Sequence, residues 1–161
     1  MAGDPGKARL TIHKGVDGVL ELGGLRFVAC RREIEGVDGG VTLIVREGID
    51  AGNVQRDLLR FDFFRKRPHF HVPAENQAER AIDPARHGDG LEWGIEQIAT
   101  RMTALAREAG FEDVAARIDE GTLAAEARPA LRGLVAGLAE PTETSWFEVD
   151  PKLLEALGLA R

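Results

Sequence analysis

Between residues 8 and 72 the chain meets a turn signal every eight to twelve residues, and beyond residue 90 that pattern gives way to a helical one. The first period admits short strands joined in hairpin order and little else. Residues 8–13 alternate, with Leu10 and Ile12 on one side, and the turn Gly15 to Gly18 leads to Val19-Leu20-Glu21-Leu22. Gly23-Gly24 precedes a strand from Leu25 to Arg32, and Val37-Asp38-Gly39-Gly40 carries an Asp-Gly hairpin signal before the strand Val41 to Arg46. A loop from Gly48 to Asn53 then leads to strands at Leu58 to Phe64 and Pro68 to Val72.

In the second half, Leu91, Ile95, Ile98, Met102, Leu105 and Ala109 recur at steps of three and four, which draws one apolar stripe on a helix ended by Gly110. A short helix is expected from Glu112 to Ile118. Thr122 reads as the cap of a further segment with apolar Leu123, Ala127, Leu131, Leu134 and Leu138, which Pro129 should kink or divide. Asp150-Pro151 begins a last helix, Lys152 to Leu157, closed by Gly158. Strands first and helices second predict an α+β fold, an antiparallel meander sheet of five or six strands packed on one face against two or three helices. One domain spans 1–161, strand-rich over 8–72, a loop over 73–90 and helical over 91–158, with Ser145 to Val149 as an extra edge strand.

With 43% hydrophobic and 30% charged residues, the composition is that of a soluble globular protein. Cys30 is the single cysteine, so intramolecular disulfides and cysteine metal clusters are excluded, and its apolar neighbours mark it as a small buried hydrophobe. The segment Met1 to Gly6 lacks the apolar core of a signal peptide, and no apolar run approaches membrane-spanning length. A cytoplasmic, bacterial-type protein is expected, without a membrane partner. The net charge of −6 disfavours general affinity for nucleic acid, yet residues 56–71 hold five cations (Arg56, Arg60, Arg65, Lys66, Arg67) against Asp57 and Asp62. A positive island on an acidic chain suits a small anionic ligand or a solvated turn.

That island overlaps the densest chemistry in the chain, Arg60 to Val72, which holds two of the four histidines and four of the seven phenylalanines. Alternate residues of a strand share a face, so Arg60 and Asp62 go together while Phe61 and Phe63 point the other way. His69 and His71 share a face opposite Phe70 and Val72. An even-membered loop around Arg65-Lys66 places Asp62 across from His69 or His71, whereas an odd one would set phenylalanines against histidines. The favoured register sends the aromatic side to the core and collects Arg60, Asp62, His69 and His71 on the other side.

Three chemistries fit that polar face. Two histidines at spacing two with one carboxylate can bind zinc, iron or nickel, and Glu75, Asp83, His87 or Asp89 could add a ligand. Alternatively, Asp62 orients His69 or His71 as a general acid–base, with Arg60 or Arg67 holding an anionic substrate. Arginines between phenylalanines could also clamp single-stranded nucleic acid, which is disfavoured because the phenylalanines are wanted by the core. The plainest alternative is a His–Asp cross-strand ladder with no chemistry. Pro68 suggests an edge position. His13 is expected to be exposed, Asp89 to cap the helix after it, and Glu92 and Glu96 to lie on an exposed helix face. Catalytic Asp62, His69 and His71, substrate-binding Arg60 and Arg67, and a divalent transition metal on His69, His71 and Asp62 are thus the candidates. A non-enzymatic binding module, including a homodimer, is the other class.

The pattern Arg60-Phe61-Asp62-x-Phe64-x-x-x-Pro68-His69-x-His71 resembles one found in small uncharacterised bacterial α+β domain families. It is also similar to the Arg-Tyr-Asp and Pro-His-x-His elements of TumE-type toxins of toxin–antitoxin systems. That resemblance implies Asp62, His69 and His71 as the shared polar cluster, with RNA or a nucleotide as target.

Overall fold

The computed structural model describes residues 6–48 and 55–156. The amino-terminal segment, most of the Gly48–Asn53 loop and the Gly158 helix stop lie outside them. An eight-stranded antiparallel sheet is built from β1 (Ala8–Lys14), β2 (Gly18–Leu22), β3 (Leu25–Ile34), β4 (Asp38–Glu47), β5 (Asp57–Phe64), β6 (His69–His71), β7 (Arg80–Ala81) and β8 (Glu143–Val149). Its order is β7-β6-β5-β4-β3-β1-β8, with β2 also pairing β3. The helices are α1 (Pro84–His87), α2 (Gly90–Glu108), α3 (Glu112–Ala115), α4 (Glu120–Ala136) and α5 (Pro151–Ala156). The α+β expectation holds; β8 contains the edge strand expected at Ser145 to Val149, and short β7 is the strand not expected from the sequence. None of the described helices is long and apolar enough to cross a membrane.

The core follows from period two in the strands and the three-four stripe of α2. Leu25 and Phe27 of β3, Leu43 and Val45 of β4, Leu59 and Phe61 of β5 are fully buried, and Ile95, Ile98 and Met102 of α2 with Leu123 and Leu131 of α4 cover them. Phe61 stacks on Phe63 and Phe70 with ring centroids 5.3 and 5.6 Å apart. A side chain at Gly94 would collide with the Phe63 ring, so glycine is what lets α2 approach β5. Glu92 and Glu96 lie on the exposed side of α2 as expected, and they pair with Arg132 and Arg128 of the antiparallel α4.

Four local expectations are corrected. The β3–β4 turn falls at Glu35-Gly36-Val37, with Gly36 at φ 73°, while Asp38-Gly39-Gly40 belong to β4. The Asp38 carboxylate instead accepts from the backbone N–H groups of Lys66 and Arg67, far along the chain. Asp119, not Thr122, caps α4, because its carboxylate sits one turn earlier and accepts from both the amide and the hydroxyl of Thr122. Helix α4 runs unbroken through Pro129, held to the sheet by Leu123, Ala127 and Leu131 on either side of it. Finally, β6 is not at the edge, since β7 pairs with it beyond Pro68.

Candidate metal centre

The chain reverses between β5 and β6 so that Arg60 pairs with His71, Phe61 with Phe70 and Asp62 with His69. This is the even-membered register centred on Arg65-Lys66. It puts Phe61, Phe63 and Phe70 under α2 and leaves Asp62, His69 and His71 on the face away from the long helices, where Phe64 also lies, edge-on to the His69 ring. That face is nonetheless screened from solvent. Asp62 is fully buried, His69 is buried and His71 half-buried.

Each side chain is fixed by a different element. Thr42 lies beside Asp62 on β4, and its hydroxyl donates to Asp62 Oδ1 at 2.7 Å. Arg60 adds longer bonds of 3.3 Å to the same oxygen from Nε and Nη2. Oδ1 is therefore satisfied. Oδ2 is buried with no hydrogen-bond partner. Arg60 Nε and His69 Nε2 stand 3.1 Å from it and His71 Nε2 3.6 Å, yet none is aligned to donate. A buried carboxylate oxygen with that deficiency wants a further positive partner.

The two imidazoles are oriented by backbone. His69 Nδ1 lies 2.7 Å from the Arg67 carbonyl, and His71 Nδ1 2.7 Å from the Asn76 carbonyl. A carbonyl oxygen only accepts, so both Nδ1 atoms carry the hydrogen and both Nε2 atoms are turned toward Oδ2. The Arg67 carbonyl is itself set by Asp38, whose carboxylate holds the Lys66 and Arg67 amides. The Asn76 side chain donates to the Val72 carbonyl, tying its loop to the end of β6. Imidazoles locked through the far nitrogen by an outer acceptor are the arrangement in which histidine ligates metals.

The donor spacing fits as well. Two donors each about 2.1 Å from a common ion stand about 3.0 Å apart at right angles and about 3.4 Å apart in a tetrahedron. The Oδ2–Nε2 separations of 3.1 and 3.6 Å lie close to those values, and all three donor atoms lie within 4.8 Å of one another. Burial pushes the Asp62 carboxyl up, but His69, Arg60 and Thr42 outweigh it and bring it down to about 2. Burial pushes the His69 imidazole down, and Asp62 with the Arg67 carbonyl more than reverses that, raising it above its ordinary value. Without a metal, His69 Nε2 and Asp62 Oδ2 stand 3.1 Å apart, an ion pair whenever the imidazole is protonated.

A cleft of about 340 Å³ opens over the three residues. Arg60, Arg67 and Glu79 border it, as do Arg32 of β3 and the apolar side chains of β1, β8 and α5. Glu79 had no sequence signal, lying in the polar stretch 73–90, yet its Oε1 comes within 3.6 Å of His69 Nε2 while Oε2 pairs with Arg67 at 2.9 Å. The further ligands expected from sequence do not join the cluster. Asp83 and Asp89 cap α1 and α2, where their carboxylates accept helix amides. His87 packs against Trp93. Glu75 borders a neighbouring hollow with Arg60 and His71. His13 is bound to Thr144 and Glu35, apart from the cleft, and Cys30 is buried.

Residues 19–132 match the model of a family described as a domain of unknown function, DUF7700. The chain belongs to that family. No curated protein and no solved structure matches it. Asp62, His69 and His71, with Thr42, Asp38, Glu79 and the two carbonyls that orient the imidazoles, all fall within the DUF7700 match. Strands β1 and β8 and helix α5 fall outside it.

Proposed function

We propose that Asp62, His69 and His71 bind a divalent transition metal and that the chain is a metal-dependent hydrolytic enzyme. One observation carries the reading. Both histidines have Nδ1 occupied by a backbone carbonyl and Nε2 converging on the one buried Asp62 oxygen that lacks a hydrogen bond. Three protein donors leave coordination positions open, as catalytic sites do and closed structural sites do not. A divalent ion there supplies Lewis acidity and lowers the pKa of water.

The surrounding side chains suit hydrolysis. Glu79 stands beside the cluster with one oxygen held by Arg67, so its other oxygen is placed to take a proton from an attacking water. Arg60 lies at the mouth, half-exposed, and is suited to hold negative charge developing on the substrate. Thr42 and Asp38 act as positioning residues, through Asp62 and the Arg67 carbonyl respectively.

Metal analysis of the purified protein tests this. About one equivalent of zinc, iron or nickel is expected in the wild type, and His69→Ala or His71→Ala should lose it. Hydrolysis of p-nitrophenyl esters by the loaded protein should fall in Glu79→Gln, which keeps its metal. Cleavage of RNA instead would favour the target implied by the likeness to TumE-type toxins. A folded protein that takes up no metal, with variants that behave like the wild type, would reduce the cluster to a cross-strand ladder.

A further inference from the structure

The cleft over Asp62 has two unlike halves. Every charged or imidazole group lining it lies within residues 19–132, whereas six of its apolar side chains, Leu10, Ile12, Phe147, Val149, Leu153 and Leu154, come from outside that span. These six are brought together by β1 and β8, which pair along their full length with Leu10 opposite Phe147, and by α5, which follows β8 directly. Phe147 and Leu153 remain 37% and 51% exposed. A large apolar surface left open beside a polar centre is where a ligand's apolar body gains most by burial.

Arg32 stands between the halves. It projects from β3 on the cleft face, in the cross-sheet row Phe64, Gly40, Arg32, Lys14, where Gly40 contributes no side chain. Its side chain is half-buried and makes neither a hydrogen bond nor an ion pair among the described residues. The other cations nearby are already matched. Arg60 pairs with Asp62, Arg67 with Glu79, Lys14 with Asp17 and Arg46 with Asp57. Arg32 also borders a second, larger hollow of about 690 Å³ that adjoins the cleft through Ile12 and Arg60. A half-buried guanidinium without an acceptor is unfavourable by itself, and a planar carboxylate satisfies it through two parallel N–H···O bonds.

We propose that the cleft binds an amphipathic monocarboxylate, its carboxylate on Arg32 and its aliphatic or aromatic body against the wall formed by β1, β8 and α5. A single unmatched cation favours a charge of −1 over a phosphate dianion. By strand spacing, Arg32 and Asp62 are about 12 Å apart between Cα atoms, two strands and one row away. The carboxylate is thus the handle, and the bond to be cleaved lies elsewhere in the ligand, nearer Asp62. Only that last point rests on the metal reading. The wall is the specificity-determining element, because it supplies six of the nine apolar side chains that line the cleft.

Calorimetric titration of the full chain, treated with chelator so that no metal competes for carboxylate, tests the proposal with octanoate as the probe. Octanoate should bind at one site, while acetate and octylammonium show no binding at the same concentrations. Arg32→Ala should weaken octanoate at least tenfold, with Arg32→Lys between the two, and the double variant Phe147→Ser, Leu153→Ser should weaken it by a similar factor. All three should keep the wild-type melting temperature within a few degrees and the wild-type zinc affinity. Absence of octanoate binding, equal binding by Arg32→Ala, or tighter binding of octyl phosphate would overturn the proposal. Zinc binding without octanoate binding sinks this inference alone, and octanoate binding without zinc binding sinks the metal reading alone.

Discussion

The two faces of the sheet are made by the same strands and hold opposite kinds of residue. On the face toward α2 and α4, Phe61, Phe63 and Phe70 are stacked and buried among aliphatic side chains. One position along β5, Asp62 is equally buried, but among a threonine, two imidazoles and a guanidinium. The first face gains stability from each group it buries. The second pays desolvation for a carboxylate whose Oδ2 still lacks a hydrogen bond, and a bound cation would repay it. Burial by itself therefore does not distinguish core from site. The distinction lies in whether the buried atoms have partners.

Substitutions on the two faces should separate stability from ligand affinity. The largest loss of stability is expected on the helix side, where Phe61→Ala should cost about 3–5 kcal/mol in denaturant unfolding. Its zinc affinity, measured where the variant is still folded, should stay near wild type. An equal loss of metal binding would mean that the faces are not independent.

Acid should act on the other face. The Asp62 carboxyl is held at about 2 against an ordinary 3.8, so the folded state binds that proton less readily than the unfolded chain. The stabilisation is complete above pH 3.8 and is lost as pH falls through about 2. It amounts to about 2 kcal/mol at most. Asp62→Asn should remove this slope from the acid limb of a stability–pH profile, and a profile identical to wild type would contradict it.

A smaller effect is expected from Thr42→Val, which deletes the 2.7 Å bond to Oδ1 and keeps the shape. It should cost about 1 kcal/mol of stability. Its zinc affinity should fall about tenfold, as for other groups that orient a ligand from outside the coordination shell. Unchanged zinc affinity would remove Thr42 from the positioning role.

The smallest expected change is at the alkaline side. His69 titrates above its ordinary value of 6.5, so its contribution in the metal-free protein is full below pH 6.5 and is lost as pH rises through the folded value. His69→Gln should flatten that decline, and saturating zinc should abolish it, since ligation requires the neutral imidazole. A decline that persists in both would assign it to another group.

The division between the faces was legible in the sequence because a period of two leaves no choice once the loop is even. Pairing of Phe61 with Phe70 forces Asp62 beside His69. What surrounds the cluster was not legible, because it depends on partners set by distant pairings. Thr42 meets Asp62 only through the β4–β5 register, and Glu79 arrives from a loop without periodicity. Asp38 shows the same limit from the other side. Its Asp-Gly step looks like a hairpin turn, yet the turn forms earlier at Gly36 and the carboxylate goes to the Arg65–Arg67 loop. Thr122 has the chemistry of a cap, yet Asp119, one turn earlier, offers the stronger acceptor. The apolar wall of the cleft needed β8 to return beside β1 across the whole helical half, a contact local patterns do not encode.

The central claim is that Asp62, His69 and His71 act together on one cation, and calorimetric titration of the metal-free protein with zinc near pH 6.5 tests it most directly. The titration should give one zinc per chain, and Asp62→Asn or His71→Ala should weaken binding at least a hundredfold. No zinc binding by the folded wild type, or binding that survives unchanged in both variants, would contradict it.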